Sequence, residues 1–169
     1  DLEAGKTYTL SPKFEYKSTS YFSYNCDFEL GNYFQSVGDS DAVLIFDATK
    51  TFGGTGISYF MGMSDAKPTA KIINSVFYYL PVGGNPVYLE LNYNCNQPIT
   101  VGVNCGGVEE RGAITLNSTD GVWNKIYIKL TTVVSTTPTY EFLGYKVFIK
   151  ATKEVANPKI YLDNIKLIN

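Results

Sequence analysis

The sequence predicts an all-β protein built as two packed antiparallel sheets, and three observations carry that reading. Strand-forming residues run through the whole chain, with 14 tyrosines, 10 phenylalanines and 16 threonines in 169 residues. Turn formers punctuate them at short intervals, with 15 glycines and 7 prolines. The longer segments alternate apolar and polar residues with period two, and no long stretch carries the spacing of an amphipathic helix.

Taken in order, Thr7 to Leu10, Phe14 to Tyr16 and Ser20 to Tyr24 are short extended pieces. Ala42 to Ala48 is a strand between Gly38-Asp39 and the Gly53-Gly54-Thr55-Gly56 loop, and Ile57 to Met63 follows. Ile72 to Leu80 is closed by Pro81-Val82-Gly83-Gly84. Val87 to Cys95 puts Val87, Leu89, Leu91, Tyr93 and Cys95 on one face, with Tyr88, Glu90, Asn92 and Asn94 on the other. After Asn96-Gln97-Pro98, Ile99, Val101, Val103 and Cys105 form an apolar face and Thr100, Gly102 and Asn104 its reverse. A short turn near Gln97 makes both faces coincide, so a hairpin is expected, with Glu90 near Asn104 across it.

Ala113 to Leu116 is another short strand. Val122 to Leu130 alternates, with Ile126 and Ile128 on one side and Lys125, Tyr127 and Lys129 on the other. Thr131 to Thr139 reads as a loop, and Phe142 to Ala151 as a long strand with Leu143, Tyr145, Val147 and Ile149 inward. In Ile160 to Ile168 the apolar parity switches at Asp163-Asn164, which predicts a β-bulge there. Eight or more such strands without crossover helices make a sandwich. Residues 1–169 are expected to form one domain, with 1–19 as a leading strand or attachment segment.

Composition narrows the function. A net charge of -2, 18% charged residues and a single arginine, Arg111, argue against a nucleic-acid partner. The chain has no histidine, which removes the Ser-His-Asp and Cys-His arrangements and the histidine zinc sites. Three cysteines cannot all pair; three buried thiols are expected, with one disulfide and a leftover thiol as the alternative. No apolar run reaches the length of a membrane-spanning helix. The start at Asp1 reads as a mature fragment from which any export signal has been removed. Glu109 and Glu110 are adjacent on a strand and point to opposite faces, a poor geometry for paired-carboxylate hydrolysis. No enzyme is expected.

Two segments carry a resemblance. Asn25-Cys26-Asp27-Phe28-Glu29-Leu30-Gly31 resembles the opening motif of jelly-roll carbohydrate-binding modules with a galactose-binding-like fold. Ile160-Tyr161-Leu162-Asp163-Asn164-Ile165-Lys166-Leu167 resembles their terminal strand. Val87 to Gly102 and Trp123 to Leu130 are similar to segments of surface proteins exported by gut Bacteroidetes. The resemblance implies a non-catalytic glycan-binding module, secreted or on the cell surface, within a larger surface protein or assembly. A structural or protein-interaction domain of a surface lipoprotein or adhesin is the alternative. It also implies a structural Ca2+ held by Glu29 and Asp163, and a tryptophan buried at the sheet end, here Trp123.

The ligand surface expected from the residues themselves is the polar face with Tyr88, Glu90, Asn92 and Asn104, joined by Asn94 and Thr100. Its other reading is a plain solvated exterior. Tyr33-Phe34 and Tyr59-Phe60 are further aromatic pairs beside loops. Lys146, Phe148 and Lys150 form a small basic stripe, expected to be a solvated face with Phe148 covered by a neighbour.

Overall fold

The computed structural model describes residues 22–26, 34–37, 44–47, 49–52, 58–75, 77–80, 83–137, 140 and 143–168, with the backbone alone at 22–26, 44–46 and 58–60. The strands are β1 (Phe22–Cys26), β2 (Phe34–Ser36), β3 (Leu44–Asp47), β4 (Ser58–Met61), β5 (Thr69–Asn74), β6 (Tyr88–Cys95), β7 (Ile99–Cys105), β8 (Glu109–Leu116), β9 (Asn124–Lys129), β10 (Tyr145–Thr152) and β11 (Ile160–Ile168). Among the described residues one short helix, α1 (Thr131–Ser135), lies between β9 and β10. They form an antiparallel β-sandwich. The first sheet has the order β3-β4-β11-β6-β9, with β1 also paired to β11, and the second has β2-β5-β10-β7-β8. The expected leading pieces at Thr7 to Leu10 and Phe14 to Tyr16 lie outside the described residues.

Alternation fixes which side of each strand goes inward. Leu89, Leu91 and Cys95 of the first sheet and Val101, Val103, Cys105, Tyr145, Val147 and Ile149 of the second share one buried cluster. In β11, Ile160, Leu162, Ile165 and Leu167 are all fully buried despite their change of parity. The register against β6 shifts between Asp163 and Lys166, and Asn164 takes a positive φ of 45°. The expected bulge is therefore present, and it turns both apolar pairs into the core.

The expected hairpin between β6 and β7 is not formed. β6 pairs with β11 and β9, while β7 pairs with β10 and β8, so the two strands belong to different sheets. Period two says which face a strand buries, not which strand lies beside it. Two apolar faces packed against each other satisfy the same pattern as two faces laid side by side. Asn96 and Gln97 form the arch between the sheets. Asn96 Oδ1 accepts a hydrogen bond from the Lys159 amide at 2.7 Å, which ties it to the start of β11. The buried Gln97 donates to the Thr152 carbonyl and accepts from the Glu154 amide, both at 3.1 Å, at the end of β10.

Several boundaries also differ, among them the start of β8, which lies at Glu109 and not Ala113, and that of β9, at Asn124 and not Val122. The strand expected from Ile72 to Leu80 ends at Asn74, whose buried side chain accepts the Val147 N–H and takes over from the backbone ladder. Leu143 is exposed in the turn before β10, where Gly144 adopts a φ of +80°. Thr131–Ser135 is helical, not loop. Its end is held by side-chain hydroxyls, with Ser135 and Thr136 donating to the Thr132 carbonyl and Thr137 to that of Val133.

Candidate functional site

The outer face of the second sheet carries a groove of about 540 Å³. Strand register explains its lining. Lys71, Lys150, Thr100 and Thr115 stand abreast on β5, β10, β7 and β8, and three strand spacings make that row about 14 Å long. Thr69 and Thr152 form the next row, and Pro98 and Glu154 close that end. Thr100 and Thr115 hydroxyls lie 3.3 Å apart. Each threonine hydroxyl both donates and accepts, and its methyl adds a small apolar surface.

Beside this row, β7 and β8 carry glycines in place of side chains. Phe148 points outward from β10 beside Gly102, with Gly112 beyond it on β8. With no Cβ at Gly102 the Phe148 ring lies over the β7 backbone and is 0% exposed. Lysines cover it: Lys150 Nζ stands 5.4 Å and Lys71 Nζ 5.9 Å from the ring centroid. The Lys71 ammonium then ion-pairs with Glu110 of β8. Phe148 is thus covered by neighbours, as expected from the sequence, although it lies outside the sandwich core.

The residues expected to form one ligand surface are divided between the two outer faces. Tyr88, Glu90 and Asn92 lie on the first sheet with Asn94, whereas Asn104 lies on the second with Thr100. Glu90 and Asn104 are therefore not neighbours. The arch that separates β6 from β7 is the reason.

The centre of the first face is filled. Glu90, Asn92 and Asn94 are buried, flanked by β9 and β11. Glu90 ion-pairs with Lys125 at 2.8 Å and Lys166 at 3.5 Å. Burial pushes its carboxyl up, but hydrogen bonds from Lys125 and Tyr127 and the charges of both lysines outweigh this, leaving it below the ordinary value. Asn94 Nδ2 donates to the Gly121 carbonyl at 2.8 Å. Asn92 Oδ1 and Asn104 Oδ1 are buried without a hydrogen-bond partner among the described residues. Tyr127, 56% exposed, is an open aromatic ring on this face.

For the expected metal ligands, Asp163 is buried at the bulge and Glu29 lies outside the described residues. Asp163 Oδ2 accepts the Phe52 N–H at 3.2 Å and Oδ1 accepts the Asn164 N–H at 2.7 Å. Among the described residues no three His, Cys, Asp or Glu side chains gather as a metal site. Trp123 is half-buried and meets Phe52 edge to face, with centroids 6.0 Å apart. Phe34 is buried; Tyr33 and the side chains of Tyr59 and Phe60 lie outside the described residues. Cys95 and Cys105 are free buried thiols, and burial pushes the pKa of both up, away from nucleophilic use.

Sequence reasoning missed Thr69, Thr115, Thr152 and Glu154 as members of one site. They come from segments far apart in the chain, and each is an ordinary strand or turn residue by itself. The Lys150 stripe was legible; its threonine surroundings were not.

No protein-family model and no curated protein matches the sequence. Solved structures do match. TmCBM61, in complex with β-1,4-galactotriose, superposes with a TM-score of 0.57 at 15% identity, covering 88% of this chain and 98% of that one. A carbohydrate-binding module of family 29 gives 0.51 at 10% identity, covering 82% and 79%. A CBM29-2 variant complexed with mannohexaose gives 0.52 at 9% identity, covering 82% of each chain. At these identities the likeness is one of fold.

Proposed function

We propose that this chain is a non-catalytic carbohydrate-binding module whose glycan lies in the groove across the second sheet. The observation that carries the reading is the groove itself: an open trough about 14 Å long, lined by threonine hydroxyls and two ammonium groups from four adjacent strands. Sugar hydroxyls donate and accept in turn, and threonine hydroxyls match that dual character. Glu154 is the one carboxylate among the groove-lining residues, whereas glycoside hydrolysis calls for two. The β-sandwich shared with carbohydrate-binding modules supports the same reading at the level of fold.

Export to a bacterial cell surface, within a larger surface protein, accords with the segments resembling Bacteroidetes surface proteins. We also keep a structural Ca2+ as a proposal. Asp163 offers a buried carboxylate at a positive-φ bulge, suited to an oxygen-seeking cation. Glu29 would be its second side-chain ligand.

A glycan array, run with calcium and again with chelator, tests both ideas. Binding of at least one glycan is expected, and replacing Thr100 and Thr115 together by Val should weaken it by about 0.5 to 1.5 kcal/mol per lost hydrogen bond. An array without a ligand at millimolar concentration would overturn the glycan reading in favour of a structural module. Equal melting temperatures with calcium and with chelator, after confirmed removal of bound ion, would overturn the metal.

A further inference from the structure

We propose that the groove selects acidic glycans, those bearing uronic-acid carboxylates, and that Lys150 is the residue that reads the carboxylate. The inference rests on the glycan-binding reading above and names the class of sugar. Lys150 occupies the middle of the groove, abreast of Lys71 on one side and Thr100 on the other. Its side chain is exposed and has no ion-pair partner among the described residues. It rests against the face of Phe148, which attracts a cation through its quadrupole but carries no net charge. The ammonium is thus positioned without being neutralised.

Its neighbours differ in this respect. Lys71 crosses the same ring to reach Glu110, so its charge is already matched. Glu154 closes the far end beside Pro98 and disfavours a second carboxylate there. One unmatched cation among hydroxyls suits a chain of sugars in which a single carboxylate meets Lys150 while neighbouring hydroxyls bond to Thr100, Thr115 and Thr152. A charge-assisted hydrogen bond to that carboxylate is roughly twice as strong as one to a neutral sugar hydroxyl. The whole chain carries a net charge of -2, so the preference comes from this local contact and not from long-range attraction.

The test is calorimetric titration of the intact chain with an oligogalacturonate and with a neutral galacto-oligosaccharide of equal length, at low and high salt. The oligogalacturonate should bind about tenfold more tightly at low salt, with a smaller advantage at high salt. Lys150→Gln should erase that advantage, and Lys150→Arg should keep it. Lys150 is exposed, so neither change disturbs the core. Equal affinities in the unaltered protein would overturn acidic selection while the glycan reading stands. An advantage that survives in Lys150→Gln would overturn the role of Lys150. Binding of neither sugar at millimolar concentration would overturn the inference together with the glycan reading in this groove.

Discussion

Leu91→Ala is expected to destabilise the protein by about 2 to 5 kcal/mol, the range for truncating a buried leucine whose surroundings cannot close the gap. Leu91 is fully buried on β6, a strand with neighbours on both sides, Ile126 of β9 lying opposite it in the register. Its side chain enters the cluster shared by both sheets. The lost contacts therefore come from the middle of the sandwich, where backbone on either side is held by ladder hydrogen bonds and relaxes little. Each kcal/mol corresponds to about 2 to 4 °C in melting temperature for a domain of this size. A loss below about 1 kcal/mol in denaturant titration, with an unchanged slope, would place Leu91 at a yielding periphery instead.

Gly102→Ala is expected to cost about 3 kcal/mol, the upper part of the range for overpacking. A Cβ at this position would overlap the Arg111 carbonyl oxygen and come within 2.6 Å of Phe148 Cζ. The first obstacle is backbone of the neighbouring strand β8, at the register shift between Val101 and Gly102, and it cannot swing aside as a side chain does. The second is a ring held down by Lys71 and Lys150. Displacing that ring also shifts Lys71 and Lys150, which cover it and line the groove, so glycan affinity should fall along with stability. Wild-type stability in Gly102→Ala would mean that Phe148 does not lie across β7.

What was legible in the sequence followed from single strands. The inward faces of β6, β7, β9 and β10 could be read from alternation, because burial on one side leaves a local mark. The bulge at Asp163-Asn164 could be read from a parity switch within nine residues of β11. Strand partners could not, since Leu91 and Val103 are apolar and inward whether their strands lie side by side or face to face. The arch between them is tied by Gln97, whose amide reaches Thr152 and Glu154 more than fifty residues away. A turn glutamine gives no local sign that it is buried.

The candidate site divides in the same way. The polar alternation of β6 was correct, but both flanking strands and the stems of Lys125 and Lys166 enclose Glu90. A polar face on a central strand need not be a wet one. The groove is made of rows running across β5, β10, β7 and β8. A row across strands has no period along the chain, and only the order of the strands reveals it.

Chemical-shift mapping locates the glycan on one outer face or the other. An isotopically labelled sample is titrated with an oligosaccharide identified by the array, and backbone amide shifts are followed to saturation. The largest changes are expected to cluster at Thr69, Thr100, Thr115, Lys150 and Thr152, on the outer face of the second sheet. Changes centred on Tyr88, Glu90, Asn92 and Tyr127, with the second sheet silent, would contradict that placement and move the site to the opposite face of the sandwich.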